Sequence, residues 1–127
     1  MPVQMTVTPE SFPIAGSFTI SRGSKTEAKV VTVRLADGVH VAQGECVPYA
    51  RYGESLESVT AQIESLPEAI TRAALQSALP PGAARNAVDC ALWDLEAKAA
   101  GRRVWQLAGL AAPGPKVVTY TLSLGVY

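Results

Sequence analysis

The chain has one histidine and two cysteines, and their scarcity excludes several chemistries. His40 has no second ligand or nucleophile near it in sequence, so it reads as a surface residue rather than a base or metal ligand. Cys46 and Cys90 stand far apart, outside any C-x-x-C pair or metal-ligand spacing. Both read as small buried hydrophobes in a reducing compartment, without a bridge. An excess of one charge is also missing: eleven Lys and Arg balance eleven Asp and Glu, dispersed along the chain. Without a basic stripe, nucleic acid is not an expected partner. No stretch reaches the ~20 apolar residues of a membrane span. The N-terminal MPVQMTVTPESF carries Glu10 and lacks a charged-then-apolar leader. The expectation is a cytoplasmic, soluble chain with no membrane partner. The glycines are scattered, with no phosphate-cradling cluster, and there is no internal repeat.

What is present is a strong helix. Between Pro81 and Leu110, Ala84, Ala87, Val88, Ala91, Leu92, Leu95 and Ala99 recur at the three-and-four spacing of one helical face. Pro81 and Gly82 mark its start and Gly101 its end. Small residues dominate the stripe, so another backbone can approach closely. Asp94 lies beside Trp93 and Leu95 and reads as structural, pairing with a nearby basic group. Trp93 and Trp105 read as packing anchors.

Before the helix come strands. Val3, Met5 and Val7 alternate with polar residues, and Pro9 closes that strand or confines it to an edge. Residues 12–20 also read as extended, with residues 21–25 a turn-forming loop. Val31, Val33 and Leu35 give the clearest alternation, in a strand over 27–36. Asp37–Gly38 signals a two-residue hairpin. Val39, Val41 and Gln43 return on one face of the partner strand, with His40 and Ala42 on the other. A second loop spans 44–54. Ser55 and Thr71 cap helices reaching about Ser65 and Leu79, and a short helix covers 104–110. Residues 111–115 read as a linker by composition, and residues 116–124 as one more strand. The fold class is therefore α+β: an antiparallel sheet of about three strands followed by a helical bundle. The last strand lacks partners for its ladder groups in this chain.

Ala87, Ala91, Asp94, Leu95, Lys98, Gly101, Leu107 and Gly109 fit the pattern A-x-x-x-A-x-x-D-L…K-x-x-G…L-x-G. In this the chain resembles the N-terminal capping domain of the enolase superfamily. Phe18–Ser24 and Gly44–Ser55 further resemble the two specificity loops of dipeptide epimerases of the L-Ala-D/L-Glu epimerase type. The resemblance implies a capping domain over residues 1–112. Residues 113–127 become the linker and first strand of a truncated (β/α)7β barrel.

It also implies a reaction, a 1,1-proton transfer at the carbon beside a carboxylate. A bound Mg2+ stabilises the enolate, and two lysines take and return the proton. The four lysines, at 25, 29, 98 and 116, form no K-x-K pair, and no acid follows Glu96. The catalytic and metal-ligand sets are therefore expected to be absent from this chain, which alone should be inactive. What the resemblance leaves is a substrate-binding shell. Arg22 is the leading candidate, since a guanidinium can grip a distal carboxylate bidentately. Tyr49 and Tyr52 either line the pocket or pack the loop. Phe18 and Ile20 either form apolar wall or belong to the core. Thr121, with Ser123, would reach substrate only in a complete barrel. Two alternatives stand beside the dipeptide epimerase. One is another superfamily enzyme of the muconate cycloisomerase or o-succinylbenzoate synthase type; the other is a non-catalytic α+β binding or assembly module. The expected partner is a small dipeptide, and a homo-oligomer is possible.

Overall fold

The computed structural model describes residues 2–122. Three strands form one antiparallel sheet in the order β1-β2-β3: β1 is Gln4–Ile20, β2 Gly23–Ala36 and β3 Val41–Cys46. Four helices follow: α1 Leu56–Glu64, α2 Arg72–Ala78, α3 Ala83–Ala100 and α4 Val104–Leu107. The class is α+β, as the order of sequence patterns implied.

Strand β1 is longer than expected. Pro9 does not end it but sits opposite Val31, and Pro13 opposite Glu27. β1 is an edge strand, the place where a missing N–H can be tolerated. A register shift follows Pro13, after which Phe18 pairs with Lys25. The expected loop over 21–25 shrinks to the turn Ser21–Arg22, because Ile20 pairs with Gly23. Asp37–Gly38 proves to be half of a longer connection, with β3 starting only at Val41. Asp37 closes it: its Oδ1 accepts the Val39 and His40 N–H groups, and its Oδ2 lies 3.1 Å from His40 Nδ1. Those bonds, the His40 N–H first, hold the Asp37 carboxyl down at about 2.

The core lies between the sheet and the helices. Val31, Val33 and Leu35 are buried, as their alternation indicated. On β3 the buried face is Ala42, Gly44 and Cys46, while Val41 and Gln43 are not buried. The fold turns the small residues of this strand inward and leaves the bulkier Val39 and Val41 outside, because α3 lies directly on the strand. A Cβ added at Gly44 would stand 1.9 Å from the Ala87 carbonyl oxygen and 2.8 Å from the Ala91 nitrogen. The alanine stripe of α3 permits that approach.

Ser55 caps α1, accepting the Ser58 N–H, and Thr71 caps α2, accepting the Ala74 N–H. Gly101 ends α3 in the left-handed region at φ 61°. Asp94 pairs with Lys98 at 2.8 Å and accepts the Gln43 N–H at 3.0 Å, while Lys98 donates to the Val41 carbonyl at 2.8 Å. Two side chains of α3 thus occupy outward backbone groups of β3. On the opposite side, Arg72 stacks 3.5 Å from the Trp93 ring centroid and bonds both Glu96 oxygens, joining α2 to α3.

Three expectations are corrected. Ala99 is exposed and Ala97 buried in its stead. Gly44 faces Ala87 and Ala91, and Val41 meets Lys98, so the sheet has run out by Ala99. Cys90 is exposed, on the side of α3 away from the sheet; only Cys46 is buried, where burial pushes its thiol up to about 11. Residues 116–122 form no strand: they are exposed, and none pairs with another strand among the described residues. A strand needs a neighbour for its ladder groups, and this sheet offers 116–122 none. Ser123 and Leu124 lie outside the described residues. No helix among those residues is long and apolar enough to cross a membrane.

Candidate functional site

Register decides what meets what. Because Cys46 pairs with Val31, the chain leaving β3 must run alongside the part of β2 that precedes Val31. That part belongs to an exposed two-stranded arm whose tip is the turn Ser21–Arg22. The two loops singled out in the sequence therefore converge. Between them lies a cleft of about 300 Å³ lined by Phe18, Ile20, Arg22, Lys25, Tyr49 and Arg51, with Gly23 and Ser24.

Four of the six candidate residues, Phe18, Ile20, Arg22 and Tyr49, line this cleft. Phe18 and Ile20 form its apolar wall. Tyr49 joins the loops: Lys25 Nζ stands 5.5 Å from its ring centroid, a cation–π contact. Tyr52 meets Tyr49 edge-on at 6.2 Å and 86° but opens onto a neighbouring depression with Glu54, Pro81 and Gly82. Thr121 lies in the irregular exposed stretch and lines no part of the cleft.

The sequence reading missed Lys25 and Arg51 as site residues. Their signal was faint, since each is one charged residue in a mixed loop, and only the register brings them beside Arg22. The lining now holds three cations and no carboxylate. Arg22 and Arg51 have no hydrogen-bond or ion-pair partner among the described residues. Glu27, the nearest acid on β2, is engaged by Ser11 at 2.6 Å and Lys29 at 3.2 Å. Those contacts, the Ser11 hydroxyl first, lower its carboxyl below the usual range. An apolar wall beside unpaired guanidinium groups suits a small anion with an aliphatic portion.

The same residues do not suit a metal. No three His, Cys, Asp or Glu side chains come together among the described residues. The Mg2+ implied by the resemblance has no ligand set there, and the cleft's chemistry is that of holding and orienting.

A helix-backed three-stranded sheet with an exposed arm at one end of the sheet defines an α+β capping domain of the enolase type. Residues 2–109 match the mandelate racemase/muconate lactonizing enzyme N-terminal domain, and the chain belongs to that family. It is 46% identical over 120 residues to the L-Ala-D/L-Glu epimerase of Escherichia coli (strain K12), covering 91% of this chain and 37% of that one. A solved enolase-family structure from Agrobacterium tumefaciens, with homology to dipeptide epimerases and with bound sodium and L-Ala-L-Glu, is 54% identical. It superposes with a TM-score of 0.87 over 98% of this chain and 39% of that one. A dipeptide epimerase from Methylococcus capsulatus, complexed with Mg and L-Arg-D-Lys, is 27% identical, with a TM-score of 0.69 over 86% of this chain and 35% of that one. The chain thus spans well under half the length of the relatives it matches.

Proposed function

We propose that this chain supplies the substrate-selecting part of a magnesium-dependent dipeptide epimerase acting on L-Ala-D/L-Glu-type dipeptides. Residues 1–112 act as the cap, and residues 113–127 as the linker and a segment that becomes the first barrel strand only where a barrel supplies its ladder partners. The observation that carries the reading is the three-cation cleft formed by the two loops. A dipeptide ending in glutamate presents a distal carboxylate on a short aliphatic stem. Arg22 takes that carboxylate, Lys25 and Arg51 add to the attraction, and Phe18, Ile20 and Tyr49 cover the stem. Tyr52 closes the loop behind Tyr49, and Thr121 approaches the substrate from the barrel side.

Two further observations support this. The relatives at 54% and 46% identity bind or act on a Glu-containing dipeptide, whereas the one at 27% holds L-Arg-D-Lys. A cationic side chain would be repelled by the present cleft. Val117, Val118, Tyr120 and Leu122 are each more than four-fifths exposed, as a segment destined for burial against a barrel would be in isolation. In the assembled enzyme Mg2+ would stabilise the enolate formed beside the substrate carboxylate. This chain's residues bind and orient the dipeptide and exclude water from it.

The test joins residues 1–112 to the barrel of the A. tumefaciens relative. Exchange of the substrate α-hydrogen is then followed in deuterated water with Mg2+. L-Ala-L-Glu should be favoured over L-Ala-L-Leu, and Arg22→Ala should raise KM for the former by about 10-fold or more, one charge-assisted hydrogen bond's worth. Equal use of both dipeptides by the unmutated chimera would sink the assignment.

A further inference from the structure

Glu54 lines no part of the cleft, yet both of its carboxylate oxygens are engaged in a way that fixes the cleft's wall. Its Oε2 accepts the Ala83 N–H at 2.8 Å, in the first turn of α3. That donor would otherwise be unpaired, because the helix starts at Gly82, which offers no capping side chain. The 18-residue helix also presents its positive end there. Glu54 Oε1 faces the Tyr49 N–H at 3.4 Å, and the Glu54 N–H donates to the Tyr49 carbonyl at 3.1 Å. Gly53 takes φ 73° between them, letting the chain fold back. Residues 49–54 are thereby closed on themselves and pinned to the longest helix, while Tyr49 reaches outward to Lys25 on the arm.

Building on the function proposed above, we infer that Glu54 is the positioning residue of the site. It anchors the second loop to α3, and through Tyr49 it sets the distance between the loop and the arm that carries Arg22. It has a second effect through charge. Committed to the helix terminus, this carboxylate is held away from Arg51 and Lys25, leaving the cleft free for the substrate's own carboxylate. Released, it would compete for those cations.

Two measurements test this separately. In the 127-residue chain, the nuclear Overhauser contact between the Lys25 side chain and the Tyr49 ring should be lost in Glu54→Ala. Glu54→Gln keeps one acceptor oxygen for Ala83 and should retain the contact in part. In the chimera, Glu54→Ala should raise KM for L-Ala-L-Glu by about 10-fold, with kcat within about twofold and a clearly smaller rise for L-Ala-L-Leu, which loses the Tyr49 wall but has no distal carboxylate to place. A Lys25–Tyr49 contact that survives Glu54→Ala, or an equal loss for both dipeptides, would overturn the role. An unmutated chimera without a preference for the anionic dipeptide would count against the substrate assignment, and the contact measurement would still decide on Glu54.

Discussion

Strand β2 is two different objects joined at Val30. From Val30 to Leu35 every inward residue is buried, between β1 and β3 and under α3. From Gly23 to Lys29 every residue is exposed, because β3 stops opposite Val31 and only β1 continues alongside. The hydrogen-bonded ladder with β1 runs through both halves, so pairing is not what separates them. Coverage is. One half is a floor for a helix; the other is an arm free to meet a ligand. Substitutions in the two halves should therefore be read by different instruments, stability for one and selectivity for the other.

The sharpest way to break this contrast is at Gly44. Gly44→Val would drive side-chain atoms into the α3 backbone, costing several kcal/mol, at the upper end of single-substitution effects. Circular dichroism should show no cooperative melt, and a near-normal melt would mean the helix does not rest on β3 as described. Leu35→Ala, in the fully buried half of β2, should cost about 2–5 kcal/mol by denaturant unfolding. Asp94→Ala should cost about 1 kcal/mol, the scale of a lost hydrogen bond, and speed amide exchange at Gln43. In the arm, Arg22→Ala and Ile20→Ser should leave stability within about 0.5 kcal/mol. A large loss there would make the arm part of the fold.

The smallest effect is acid sensitivity. Burial raises the Asp94 carboxyl, but the Lys98 ammonium and the Gln43 N–H outweigh it, and the net displacement is downward. Asp37 is lowered to about 2. A carboxyl depressed in the folded state contributes stability that is present above its ordinary value of 3.8 and lost as pH falls through the folded one. Both contributions should fade only below about pH 4, which a carboxyl titration by NMR would follow. Midpoints at or above the ordinary carboxylate value would show that neither the Asp37 turn nor the Asp94 contact between α3 and β3 is formed in solution.

Much of the covered half was legible in the sequence. The alternation of Val31, Val33 and Leu35, the caps Ser55 and Thr71, the stop at Gly101 and the pairing of Asp94 all follow from local rules that the fold obeys. What was not legible depended on coverage. Nothing local says that Ala42 and Gly44 outrank Val41 for the core, because that choice is made by the helix lying across them. Nothing local separates Cys46 from Cys90 either. In the cleft, Arg22 and Tyr49 could be singled out by loop and resemblance. Lys25 and Arg51 join them only because Cys46 is opposite Val31, a long-range register that one strand's pattern does not reveal.

The Lys98 and Asp94 contacts on β3 have a consequence for assembly in crowded solution. An exposed strand edge is a template on which another molecule's strand can add. On the β3 side, the Val41 carbonyl and the Gln43 N–H are already held by side chains of their own helix. The opposite edge, on β1, carries Pro9 and Pro13 and a break in register before Phe18, all features that spoil an uninterrupted ladder. The sheet is thus stopped at both borders. Unwanted fibre growth would have to begin with the dislodging of a lysine or the straightening of a bulge.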